Sequence, residues 1–180
     1  MKNHGLGILA GALWAALILV PLTAGAAGTE ATAQPAQPPT VAQVEQYLQG
    51  VNGAVFPVGS YNAAYADDFT GDSFLAVLSQ DKDILAANGT FVKGAHTYWH
   101  KHHGSCQILL GASGSGYYQI WGQDPVRLRP GESVTIPENV KHWHGAAPGS
   151  MFQHVSVMKA GASTEWLEPV DQQVFAALEK

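Results

Sequence analysis

Eight histidines occur in the chain, and seven of them fall between His96 and His154. The densest stretch, Gly94 to Gln107, reads GAHTYWHKHHGSCQ and holds four histidines, the only cysteine and a glutamine. On a β-strand, side chains two residues apart share a face. His100 and His102 therefore share one, and starting the strand earlier adds His96 and Tyr98, with Trp99 and Lys101 opposite. In VKHWHG, His142 and His144 share a face; in FQHVSV, His154 and Ser156 lie opposite Val155 and Val157. Three strands thus offer imidazoles to one side. Burying several unpaired polar rings is costly unless a partner such as a metal ion takes their lone pairs. One histidine would suit an ordinary core or surface role, but two His-x-His pairs in a short β domain point to a metal site. His103 faces away from His102, and Cys106 away from Gln107, so neither is expected to be a ligand. His96 is expected as a gate residue.

The elements that must position these side chains read as short strands. Gly, Pro, Asn and Asp recur every few residues, and SFLAVLS, ILAANGTFV, HTYWHKH, QILLG, GYYQIWG, VRLRP, SVTIP and FQHVSVM lie between them. That rhythm predicts an all-β sandwich or barrel. WGQDPVRL reads as a hairpin turning at Gly122 to Pro125. Val41, Val44 and Leu48 have helical spacing, and so do Val170, Val174 and Leu178, predicting a short helix at each end of the domain. Cys106 cannot form an internal disulfide, and beside the apolar run ILL it is expected to be a buried structural thiol.

The N-terminus reads as an export signal. Lys2 precedes ILAGALWAALILV, an apolar run of 13 residues from Ile8 to Val20, and small residues follow. The run is short of the ~20 residues that span a bilayer as a helix. Residues 1–26 are thus expected to be a signal peptide, 27–40 a Pro/Ala-rich linker and 41–180 a single domain, in an exported protein, periplasmic or secreted. A net charge of −5 argues against nucleic acid or an anionic membrane as a partner. A small-molecule substrate and a homo-oligomer, dimer or tetramer, are expected instead.

Two spaced motifs resemble those of the cupin superfamily. Gly94, His100, His102, Gln107 and Gly114 fit the first, and Gly131, Pro137 and His142 the second. Asn139 stands where that motif has its second glycine, and asparagine tolerates the positive φ such a turn needs. The resemblance covers about Asp67 to Pro169 and implies a small antiparallel jelly-roll β-barrel with one metal inside. WHKHHGSCQILL, the run from Arg129 to His154 and WLEPV resemble the single-domain cupins that include manganese-dependent (R)-selective hydroxynitrile lyases. That likeness implies His100, His102, Gln107 and His142 as metal ligands and His144 and His154 as further active-site groups. The chain carries four residues, His103 to Cys106, where those lyases carry three, so a different pocket rim is expected.

Three imidazoles and an amide oxygen are neutral donors, so a divalent ion held by them keeps its full charge and is a strong Lewis acid. Such a donor set suits Mn, Fe, Co, Ni, Zn or Cu; the resemblance favours manganese, then iron. A neutral His144 or His154 beside the ion is available as a general base; for His144 the alternative is a hydrogen bond that orients a ligand. The expected activity is carbon–carbon lysis of a small hydroxy or carbonyl compound, as in hydroxynitrile lyases. An iron dioxygenase and a non-catalytic small-ligand sensor are the alternatives.

Overall fold

The computed structural model describes residues 37–49 and 54–178. The expected signal peptide and residues 27–36 of the expected linker lie outside them. Thr40 starts the first helix, α1 (Val41–Leu48): its hydroxyl accepts from the Gln43 N–H while the Gln43 side chain returns to the Thr40 backbone, satisfying donors that the first turn leaves free. The helix buries Val44 and Leu48 on Phe74, Val58 and Met151.

Thirteen strands follow: β1 (Ser60–Tyr61), β2 (Phe69–Thr70), β3 (Ser73–Gln80), β4 (Ile84–Phe91), β5 (His96–Thr97), β6 (His100–His103), β7 (Gln107–Gly114), β8 (Gly116–Ile120), β9 (Val126–Leu128), β10 (Ser133–Ile136), β11 (His142–Ala146), β12 (Phe152–Lys159) and β13 (Ser163–Trp166). The chain closes with α2 (Gln172–Ala176). All pairings are antiparallel. One sheet has the order β1-β3-β4-β12-β7-β10; the other has β13-β6-β11-β5-β2, with β8 beside β11 and β9 beside β8. Strands distant in sequence are neighbours, as when β12 lies between β4 and β7. This is the jelly-roll fold, as expected. Phe91, Leu109, Leu128, Ile136 and Phe152 form one core cluster. Trp99, Tyr117, Trp143, Val170 and Phe175 form a second beneath α2.

Asn139 has φ 63°, the left-handed turn that the motif spacing predicts. The WGQDPVRL hairpin forms, with Tyr118 opposite Val126.

Three expectations need correction. HTYWHKH is not one strand, because the ladder changes partner in its middle. Thr97 pairs with Phe69 of β2, whereas the Trp99 N–H donates to the Glu168 carbonyl, beyond the end of β13. The alternation slips by one position there. Thr97 faces the interior with His100 and His102, while His96 turns outward beneath α2, its ring 3.9 Å from that of Phe175. His96 is therefore no gate, and Tyr98 does not line the pocket. Cys106 is exposed rather than buried, because Gln107 and Leu109 take the inward positions of β7. In α2, Val174 is 48% exposed and Phe175 buried, since the aromatic ring fills the space against Trp143.

Candidate metal centre

His100 and His102 project from β6, and His142 opens β11 directly opposite His100 in the ladder. Gln107 is the first residue of β7. All four side chains are buried. One ring nitrogen from each of His100, His102 and His142 lies within 4.8 Å of the others.

Hydrogen bonds fix which nitrogen is free. His100 Nδ1 is 2.9 Å from the Tyr98 carbonyl and His142 Nδ1 is 2.9 Å from the Val140 carbonyl. A carbonyl only accepts, so both Nδ1 atoms carry the hydrogen and both Nε2 atoms present lone pairs. His102 Nδ1 lies 3.1 Å from Thr164 Oγ1 on β13. Its Nε2 is buried with no hydrogen-bond partner. His142 Nε2 faces Gln107 Oε1 at 3.0 Å, and the Gln107 amide nitrogen is turned to Ser156 Oγ instead. Two acceptors therefore face each other in a buried site. Such an arrangement is repulsive by itself and attractive around a cation. Burial also keeps the rings uncharged. It holds the His100 pKa well below the ordinary value, with His142 adding to the effect; it lowers His142 to about 4; and it lowers His102, against an opposing contribution from Gln107. Three buried, neutral imidazoles with lone pairs turned inward fit a divalent ion.

The other two expected residues lie beside this cluster. His144, two residues beyond His142, donates its backbone N–H to Thr97 Oγ1. Its Nδ1 is 3.1 Å from His154 Nε2 on β12, and His154 Nδ1 is buried without a partner. Burial pushes His154 down to about 4 and His144 well below the ordinary value, with His154 contributing second. Phe91 packs on both rings. Gly89 lies opposite His154, where a side chain would meet the ring.

These groups adjoin a cavity of about 180 Å³. Its walls include Phe69, Phe91, Leu75, Leu85, Met158 and Trp166. Among the described residues, no lysine, arginine, aspartate or glutamate lines it. Leu75, among the lining residues, is 41% exposed. His103 stands outside, bonded to Asn139 and Glu165, which together hold its pKa up. Thr164 and Trp166 were not foreseen, because STEW gives only two turns of alternation and is too short to announce a strand. Thr97 was missed because the slip at Tyr98 reverses its face.

Residues 89–157 match the cupin domain family. Over 115 residues the chain is 34% identical to the (R)-mandelonitrile lyase of Granulicella tundricola, an overlap of 61% of this chain and 87% of that enzyme. The crystal structure of a cupin-like protein from Thermotoga maritima superposes with a TM-score of 0.62 at 34% identity, covering 67% of this chain and 93% of that one. A shorter stretch of 46 residues is 39% identical to the acireductone dioxygenase of Bacillus subtilis, covering 23% of this chain and 26% of that enzyme. With its paired motifs, jelly-roll sheets and buried histidine triad, the chain belongs to the cupin superfamily.

Proposed function

We propose that this cupin is a metal-dependent lyase that cleaves a small hydroxynitrile-like compound to a carbonyl product and cyanide. One divalent ion, manganese or else iron, is held by His100, His102, Gln107 and His142. The reading is carried by the lone-pair confrontation between His142 Nε2 and Gln107 Oε1, set beside the buried His144–His154 pair. It is supported by the likeness to a mandelonitrile lyase over most of that enzyme's length. Bound there, the ion supplies a Lewis acid of undiminished charge, because every donor is neutral.

The chain's own residues do the rest. Phe69, Phe91 and Trp166 exclude water and face the apolar part of the substrate. The neutral His144–His154 pair takes the hydroxyl proton as the carbon–carbon bond breaks, and the departing cyanide recovers that proton. The two rings share one hydrogen bond, so a proton gained on the pocket side is stabilised by the second ring. The test is incubation of the manganese-loaded protein with mandelonitrile. Release of benzaldehyde and cyanide is expected; no release with manganese or iron would remove the reading.

The short likeness to a dioxygenase favours a second reading, oxygen activation by iron. Oxygen uptake with iron, but not with manganese, would select it. Export, with residues 1–26 removed, completes the proposal, and the N-terminal mass of the mature chain tests it. A homo-oligomer is proposed with it, and sedimentation tests that.

A further inference from the structure

A glutamine differs from a carboxylate in one way that matters for holding a cation: its terminal atoms are not equivalent. The oxygen offers lone pairs and the nitrogen only hydrogens. The terminal torsion is soft and two-fold, so a half-turn exchanges the two. Without an ion, the reversed amide would even be favoured on one side, because its N–H could donate to the His142 Nε2 lone pair. Presenting oxygen to the triad therefore requires something on the opposite side of the amide.

The inward face of β12 provides it. Ser156 Oγ lies 3.0 Å from Gln107 Nε2, and Met158 sulphur 3.8 Å from the same atom. Met158 is also the ladder partner of Gln107. A serine hydroxyl donates or accepts, so alone it tolerates either orientation. A thioether only accepts, so reversing the amide would turn oxygen onto sulphur and give up the N–H···S contact. Both partners are fixed by the same ladder that places His154.

The geometry points to Ser156 and Met158 as positioning residues that lock the Gln107 carboxamide with its oxygen toward the histidine triad. This rests on the reading of Gln107 as a ligand. Neither residue belongs to the spaced motifs, and neither need touch the ion; they act through Gln107. A glutamate at position 107, with two like oxygens, would need no such lock, so its presence is tied to the glutamine.

The test uses the full-length chain freed of metal, Mn(II) affinity by chelator competition, and the visible absorption of the Co(II)-loaded protein. The Ser156→Ala/Met158→Leu double variant is expected to bind Mn(II) about 10–100-fold more weakly, the range for losing groups that orient a ligand, and to change the Co(II) bands. Ser156→Thr, which keeps the hydroxyl, is expected to retain both properties. Gln107→Ala is the control for the ligand itself. If it weakens binding while the double variant matches the wild type in affinity and spectrum, the lock is overturned and Gln107 stands as a ligand. If Gln107→Ala leaves affinity unchanged, the ligand reading falls and the lock with it. Should the double variant not fold, Met158→Leu alone, which removes the partner that can only accept, carries the same outcomes when read by its Co(II) bands.

Discussion

Hydrogen-bond partners separate the six polar side chains of the site into two groups. His100, His102, Gln107 and His142 have their outward atoms tied to Tyr98, Thr164, Ser156 and Val140. Their inward atoms face one another. His144 and His154 bond to each other instead. Removing a member of the second group should therefore spare the metal and stop the chemistry. His144→Ala is expected to keep its bound ion by elemental analysis yet lose about 10²–10⁴-fold in kcat; loss of the ion would make His144 a ligand rather than a base. Thr164→Val frees the Nδ1 of His102 and should weaken Mn(II) binding about 10-fold or more, measured by chelator competition. The two His-x-His pairs were legible from spacing and His154 from strand alternation, whereas Gln107 entered through the likeness to the cupin motif. Thr164 was not, because its role depends on a ladder between β6 and β13, 62 residues apart.

At the scale of elements, the fold follows the local pattern wherever a strand keeps one partner. It departs from it at Tyr98–Trp99, where the chain passes from β2 to the region beyond β13. No periodicity marks that exchange, so His96 moved from an expected gate to a buried position under α2. The same limit applies to α2: with five residues, it is too short for a helical stripe to decide which side chain faces in. Phe175→Ala removes a buried ring from His96 and Trp143 and should cost about 3 kcal/mol in urea unfolding. Val174→Ala, on the exposed side, should stay within about 0.5 kcal/mol of wild type. A larger loss for Val174→Ala than for Phe175→Ala would contradict this placement of the helix. Asn139 gives a sharper case, with φ 63°. Replacement by alanine should cost about 1 kcal/mol and by glycine almost nothing, unless its bond to His103 is worth more than the backbone strain.

Over the whole molecule, burying so many imidazoles makes the metal-free protein sensitive to acid. His142 and His154 titrate at about 4 in the folded chain, and near 6.5 once unfolded. Between those values the unfolded chain binds protons that the folded chain refuses, so stability falls as pH falls. The loss approaches about 1.4 kcal/mol per pH unit for each such histidine. The urea midpoint of the metal-free protein should accordingly drop between pH 7 and pH 5; an unchanged midpoint would mean that the rings are already hydrated or charged at neutral pH. Metal binding should offset part of this by mass action, about 2.7 kcal/mol at a hundredfold excess over Kd. The central claim is that three strands brought together by the jelly roll hold one divalent ion on His100, His102, Gln107 and His142. Elemental analysis of the protein purified from its native compartment, beside His142→Ala prepared identically, tests it most directly. One first-row divalent ion per chain in the wild type and none in the variant is the predicted result. An ion retained by His142→Ala, or absent from the wild type, would contradict it.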